Sequence, residues 1–287
     1  MILLKKLFGA IVLAFAMISF SSNVTSCSKT DTVHDTTYVN ITVRDTTVQT
    51  ITDSIYDLTD GLVAYFTFNG GSLNDSSGMN NNIYIDSNIS LASDRFGNPN
   101  NAYSFNGVNS FMRVPNSPSI NPDNITIYAI VKINGFYTGP CGGNQILSKG
   151  YPYTTNGFYG MEFFDFTSNC GTPNQSIEVF AGTYGDNNPE GSAAGAANQS
   201  DYISTGVWYY LIFTYDGTTA KYFINGQLVN SEAKSNVTFT PNSNDLFIGK
   251  HENPAYPYYL NGVIDEIRIY NKALSNGEIS QLLKSKD

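Results

Sequence analysis

The sequence predicts an all-β fold, an antiparallel β-sandwich closed by one short C-terminal helix. Three observations carry that prediction. Turn-forming dipeptides recur at Asn69-Gly70, Asn106-Gly107, Asp216-Gly217, Asn225-Gly226 and Asn261-Gly262, with short β-rich runs between them. Val263 to Tyr270 alternates with a period of two and is rich in β-branched residues. The chain carries 20 Tyr and 18 Phe but only 14% charged residues, which suits sheets and long loops better than solvated helices.

The elements follow in order. Leu62-Val-Ala-Tyr-Phe-Thr-Phe-Asn-Gly70 reads as an opening strand running into a loop, Asn74-Asp-Ser-Ser-Gly78. Asp94-Arg-Phe-Gly-Asn98 is a turn before a strand at Ala102-Tyr-Ser-Phe-Asn-Gly107. Tyr209 to Tyr215, Ala220 to Ile224 and Gln227 to Asn230 are separated by Asp-Gly and Asn-Gly and form two consecutive hairpins. Trp208, just before them, is expected in the core. Asn261-Gly262 is read as a tight turn before the last strand. On that strand Val263, Asp265, Ile267 and Ile269 share one face, and Ile264, Glu266, Arg268 and Tyr270 the other. Ser275-Asn-Gly-Glu278 is a capping box, and Ile279, Leu282 and Leu283 continue at helical spacing. Residues 137–201 are the least regular part, and 185–201 reads as a long loop of the kind on which binding sites are placed.

These blocks, in this order, resemble the laminin-G-like (concanavalin A-like) jelly-roll family. The closing phrase Asn261-Gly-Val-Ile-Asp-Glu-Ile-Arg-Ile-Tyr270, followed by Asn271-Lys-Ala-Leu-Ser275, is its most specific part. The resemblance covers roughly residues 61–284 and implies a two-sheet antiparallel jelly roll. It leaves two functions open: binding of carbohydrate, or binding of protein as an adhesive module.

The first 26 residues stand apart. Lys5 and Lys6 precede an apolar run from Phe8 to Phe20, too short to span a bilayer comfortably and flanked like a signal peptide. Val24-Thr-Ser-Cys27 resembles a bacterial lipobox, which implies acylation of Cys27 and a lipid-anchored protein of the cell envelope. Ser28 after the cysteine favours the outer membrane of a Gram-negative bacterium. The alternative is ordinary secretory cleavage. Residues 27–60 are rich in Thr and Asp, lack Gly and Pro, and have too few large apolar residues for a core. They read as an extended stalk, able to reach about 100 Å at about 3.3 Å per residue. Its Asp-Thr and Asp-Ser pairs make Thr32, Thr36, Thr46 and Ser54 candidate O-glycosylation acceptors. Residues 61–287 form the one jelly-roll domain, expected to be monomeric.

The net charge is −9, and −11 without residues 1–26. An acidic chain with no basic cluster excludes nucleic acid as a partner. Cys27 aside, Cys141 and Cys170 remain, and in an exported protein two such cysteines are expected to pair. The loop they close is about 30 residues, worth roughly 3 kcal/mol in the chain-entropy model.

Three chemistries are open to the loops. Asp265 is an acid among apolar neighbours and needs a charge partner or several donors. With Asn69 and Asp75 it could hold a structural Ca2+ between the first and last strands. Equally, Asn69 and Asp75 could make Asx-turns while Asp265 accepts backbone N–H bonds. Tyr151, Tyr153, Tyr159, Tyr184, Tyr256 and Tyr258, with Asp186 and Asn187, are candidates for a sugar site; each Tyr could instead pack a loop onto the sandwich. Catalysis is not expected. The paired-carboxylate strand motif E-x-D-x-x-E of the family's hydrolases is missing. Glu162 and Asp165 have an odd offset, and Asp265 and Glu266 are adjacent and should diverge.

Overall fold

A computed structural model describes residues 55–85, 87–135, 137–139, 143–151, 157–164, 176–182, 204–233 and 241–285. Cys27, Cys141 and Cys170 lie outside them, as do the four stalk acceptors and Tyr153, Asp165, Tyr184, Asp186 and Asn187.

The strands are β1 (Leu62–Phe66), β2 (Tyr84–Ile85), β3 (Ser90–Ala92), β4 (Ala102–Asn106), β5 (Met112–Val114), β6 (Ile125–Ile133) and β7 (Asn144–Lys149). They continue as β8 (Phe158–Phe164), β9 (Ser176–Gly182), β10 (Trp208–Tyr215), β11 (Thr219–Ile224), β12 (Gln227–Ala233), β13 (Leu246–Ile248) and β14 (Asn261–Tyr270). Helix α1 (Asn276–Leu282) ends the domain. The larger, 8-stranded sheet runs β12-β11-β10-β6-β14-β4-β3, with β1 also paired to β14. The smaller, 6-stranded sheet runs β2-β5-β13-β7-β8-β9. Every described pairing is antiparallel. The predicted two-sheet jelly-roll sandwich with a C-terminal helix is therefore correct.

The core lies between the sheets. Ile127, Ala129 and Val131 of β6, Leu211 and Phe213 of β10, and Ile264, Ile267 and Ile269 of β14 meet Leu147, Met161, Phe163, Leu246 and Ile248 from the smaller sheet. Each of these side chains other than Ala129, fully buried, is worth about 1.5–3 kcal/mol. A second cluster covers the outer face of the larger sheet: Leu62, Tyr128, Ile130, Ile212, Phe223 and Tyr270 lie under Leu274, Ile279 and Leu282. Trp208 belongs to this outer side. It is only half-buried, with Lys132 Nζ 4.9 Å from its ring, so it is not the core residue expected from its type.

The end of the chain matches the predicted order of strand, turn and capped helix. Ser275 Oγ accepts the Glu278 N–H, and Glu278 reaches back to the Ser275 N–H. Two details differ. Asn261-Gly262 makes no tight turn but starts β14, where a Cβ on Gly262 would stand 2.5 Å from the Lys132 carbonyl oxygen. Close approach of two backbones, not a positive φ, requires that glycine. The alternation is also broken once. A β-bulge between Ile264 and Glu266 makes Asp265 the extra residue, so Ile264 joins Ile267 and Ile269 in the core.

The bulge explains the misplaced acid. Asp265 and Glu266, expected to diverge, both reach Arg95 Nη1, at 2.9 Å and 3.8 Å. Arg95 also donates its backbone N–H to Asp265 Oδ2 at 2.9 Å. Arg268 Nε bonds Glu266 at 2.5 Å, and Arg268 Nη2 bonds the Tyr65 hydroxyl at 2.9 Å. All four charged side chains are more than nine-tenths buried. This network pins the 94–101 loop to β14.

Residues 56–60, read from sequence as the end of the stalk, are bound to the domain. Gln281 accepts the Tyr56 N–H and donates to the Tyr56 carbonyl, both at 2.6 Å. Leu58 packs on the outer cluster.

Candidate functional site

The candidate site is the outer face of the smaller sheet. Alternation along β8 sends Tyr159, Met161 and Phe163 into the core and Gly160 and Glu162 outward. On β7 a bulge at Ile146 keeps Ile146 and Leu147 both in the core, which leaves Gln145 and Ser148 facing out. Gln145 is thereby the register partner of Glu162, and Ser148 that of Gly160.

Glu162 is 5% exposed and its Oε2 has no hydrogen-bond partner. Burial pushes its carboxyl up to about 8, so it is largely protonated at neutral pH. Gln145 is 1% exposed. Its Nε2 donates to the carbonyls of Leu147 (2.6 Å) and Met161 (3.2 Å), and its Oε1 is left unpartnered. Gly160 makes room for that amide, since a Cβ there would lie 3.1 Å from Gln145 Nε2. Asn144, next along β7, accepts the Asn261 N–H with Oδ1 while its Nδ2 stays unpartnered.

The 249–260 loop continues the site. The Tyr258 carbonyl accepts the Gln145 N–H at 2.8 Å. Tyr258 has φ 44, a left-handed backbone that a tyrosine seldom adopts. Its ring lies 5.7 Å from His251, 6.2 Å from Tyr256 and 6.3 Å from Tyr137. Tyr151 meets the His251 ring edge to face at 4.8 Å. His251 is buried, its Nδ1 has no partner, and burial lowers its pKa to about 4, so the ring is neutral at pH 7. The face thus buries unpartnered polar atoms, and the loop gathers a group of aromatic rings of which Tyr256 is 40% exposed. Uncompensated buried polar atoms are costly, and these are too enclosed for a ligand to reach.

Of the residues read from sequence as sugar contacts, Tyr151, Tyr256 and Tyr258 come together around His251. Tyr159 is a core residue whose hydroxyl donates to the Ile120 carbonyl at 3.1 Å. Gln145 and Glu162 are the additions. A lone acid in the apolar run Phe158–Phe164 was the signal that could have found Glu162; Gln145 needed the strand register.

Asn69, Asp75 and Asp265 do not fit a shared calcium ion. Asp75 Oδ1 accepts the N–H groups of Tyr65 and Ser77, both at 2.9 Å; Oδ2 accepts Ser77 Oγ at 2.8 Å and the Asn81 N–H at 2.9 Å. Asn69 sits in an exposed 3-10 turn. The Arg95 guanidinium already neutralises Asp265 and would repel a second cation. Among the described residues no group of three or more His, Cys, Asp or Glu is placed to hold a metal.

A family model described as the concanavalin A-like lectin/glucanases superfamily matches residues 105–280. No curated protein matches the sequence. Among solved structures, domain 4 of AbnA, a GH43 extracellular arabinanase from Geobacillus stearothermophilus in complex with arabinotriose, is 21% identical with a TM-score of 0.59; the match covers 78% of this chain and 98% of that one. The botulinum neurotoxin serotype D binding domain is 15% identical with a TM-score of 0.55, over 79% of this chain and 51% of that one. The Trypanosoma rangeli sialidase in complex with sialic acid is 18% identical with a TM-score of 0.52, over 78% of this chain and 32% of that one. The chain thus spans about half of the toxin domain and a third of the sialidase. At these identities the likeness establishes the fold.

Proposed function

The chain belongs to the concanavalin A-like lectin/glucanases superfamily, and from that premise we propose that it is a non-catalytic glycan-binding protein of the cell envelope. The observation that carries this reading is the group of aromatic rings Tyr151, Tyr256 and Tyr258 gathered around His251, with Tyr256 40% exposed. Sugar C–H faces would stack on an exposed ring of this kind. The arabinanase domain solved with arabinotriose supports the choice of ligand class. The non-catalytic part rests on the missing E-x-D-x-x-E strand motif.

Acylated Cys27 would tether the protein to the outer membrane of a Gram-negative bacterium, and a Cys141–Cys170 disulfide would brace the loops. Intact-mass measurement of the mature protein tests both, together with glycosylation at Thr32, Thr36, Thr46 or Ser54. A mass equal to the bare, reduced, unacylated chain removes all three.

A protein-binding role draws on a different place. A hollow of about 420 Å³ beside α1 is lined by Phe223, Leu228, Ile279 and Leu283, and Leu228 is 53% exposed. A glycan array on the full chain, with and without calcium, separates the two readings. Glycan hits lost in Tyr256→Ala, at an exposed position, support the proposed site. Silence under both conditions shifts the function to protein adhesion.

A further inference from the structure

Independently of the glycan reading, we propose that Lys149 and Asn242 form a covalent modification site, where the lysine amine and the asparagine carboxamide join as an isopeptide bond. Lys149 ends β7 and is 0% exposed. Its Nζ donates to Asn242 Oδ1 at 2.7 Å, to Asn121 Oδ1 at 3.0 Å and to the Asn242 carbonyl at 3.1 Å. All three acceptors are neutral, and among the described residues no carboxylate is in ion-pair contact with this amine. A charge held out of water in this way is costly, and losing it is favourable. Burial lowers the Lys149 pKa from 10.5 to about 8, against the pull of Asp245 and Glu252. About half of the amine is therefore neutral, and nucleophilic, at pH 8.

Asn242 is the partner because its carboxamide is held for attack. Its Cγ lies one C=O bond, about 1.2 Å, beyond the oxygen that Nζ already touches. Asn242 Oδ1 also accepts the Asn244 N–H at 3.1 Å, a donor that would stabilise the oxyanion formed on attack. Asn242 Nδ2 donates to the Gly157 carbonyl at 3.0 Å, which fixes the plane of the amide. Asp245 is taken up by Arg113 Nη1 at 2.9 Å and by the Asn116 N–H at 2.8 Å. Glu252 Oε1 accepts from Asn244 Nδ2, and its buried Oε2 has no partner, which leaves Glu252 to carry the proton. In the reaction the Nζ–Cγ bond forms and the Cγ–Nδ2 bond breaks. One proton passes from the neutral amine through Glu252 to Nδ2, which leaves as ammonia. The remaining Nζ–H keeps Asn121 Oδ1 as its acceptor. The product loses a buried charge and closes a ring over a separation of 93 residues, tying β7 to the segment before β13.

Mass spectrometry of the full chain tests this. After incubation at pH 8, the denatured protein should weigh one ammonia less than the unbonded chain. Peptide mapping should recover one branched peptide that contains both Lys149 and Asn242, uncut by trypsin at Lys149. Lys149→Arg keeps the charge but cannot react, and Asn242→Ala removes the carboxamide; both should lose no ammonia. Glu252→Gln should form the bond about a hundredfold more slowly; an unchanged rate removes Glu252 from the reaction. Ring closure at an Asn-Gly step also releases ammonia, but it leaves Lys149 free and every peptide linear. That pattern, or a full mass after prolonged incubation, overturns the isopeptide bond. The mapping is made on the wild-type chain, so the test stands even where a variant fails to fold.

Discussion

Glu162 on β8 stands directly opposite Gln145 on β7, and neither Glu162 Oε2 nor Gln145 Oε1 has a hydrogen-bond partner. Two facing acceptors in a buried spot are unfavourable unless one becomes a donor. Protonation of Glu162 supplies a donor, and the upward shift of its pKa agrees with that state.

That shift sets a pH dependence. The Glu162 carboxyl rises from 4.5 to about 8 on folding. A raised pKa means its stabilising contribution is full below 4.5 and is lost as the pH climbs to about 8. The slope is at most about 1.4 kcal/mol per pH unit within that window. Glu162→Gln cannot titrate. Wild-type melting temperature should therefore fall relative to Glu162→Gln between pH 4.5 and 8; parallel curves would mean that the carboxyl is hydrated or paired.

Arg95 answers two carboxylates at once, with Asp265 and Glu266 side chains only 4% and 3% exposed. Arg95→Met strands both, although Glu266 keeps Arg268. The expected loss is about 3–5 kcal/mol, read as a lower denaturant midpoint at unchanged slope. A loss below about 1 kcal/mol would show that the pair behaves as a surface bridge.

Calcium should leave the melting temperature unmoved, and so should a chelator, because the Asp75 and Asp265 carboxylates already have protein partners. An ion selective for the native state must raise apparent stability. An upward shift with calcium, abolished by Asp75→Ala, would reinstate a metal at the first loop.

Ser275→Ala removes the helix cap, with an expected cost of about 1 kcal/mol. The loss should concentrate in α1, whose Ile279 and Leu282 shield the outer cluster. Hydrogen exchange localises it: faster exchange confined to α1 and β11 agrees, and a uniform change across the sandwich does not.

Most of the framework was legible from the sequence because it is written in local patterns. The hairpins at 208–233 follow from Asp216-Gly217 and Asn225-Gly226, and the last helix from its capping box. The bulge at Asp265 was hidden, because a single extra residue leaves the apolar count of a strand unchanged while swapping its faces. The aromatic part of the site, Tyr151, Tyr256 and Tyr258, could be chosen by residue type and loop position. The Gln145–Glu162 pair could not, since it depends on strand register and on a second bulge at Ile146. Tyr159 was misjudged for a related reason: an aromatic in a Gly- and Tyr-rich stretch looks like a loop residue until the strand that buries it is known.

Tyr56, whose N–H and carbonyl are both held by Gln281, leads into β1, which pairs with β14. That geometry decides how the domain would bear mechanical tension. A pull on Tyr56 would meet the two Gln281 bonds before it reaches the β1–β14 ladder. Under such a pull the Gln281 clamp is the first contact to yield. Force spectroscopy on Gln281→Ala, which should shorten the first rupture event without lowering the main unfolding force, would read that order directly.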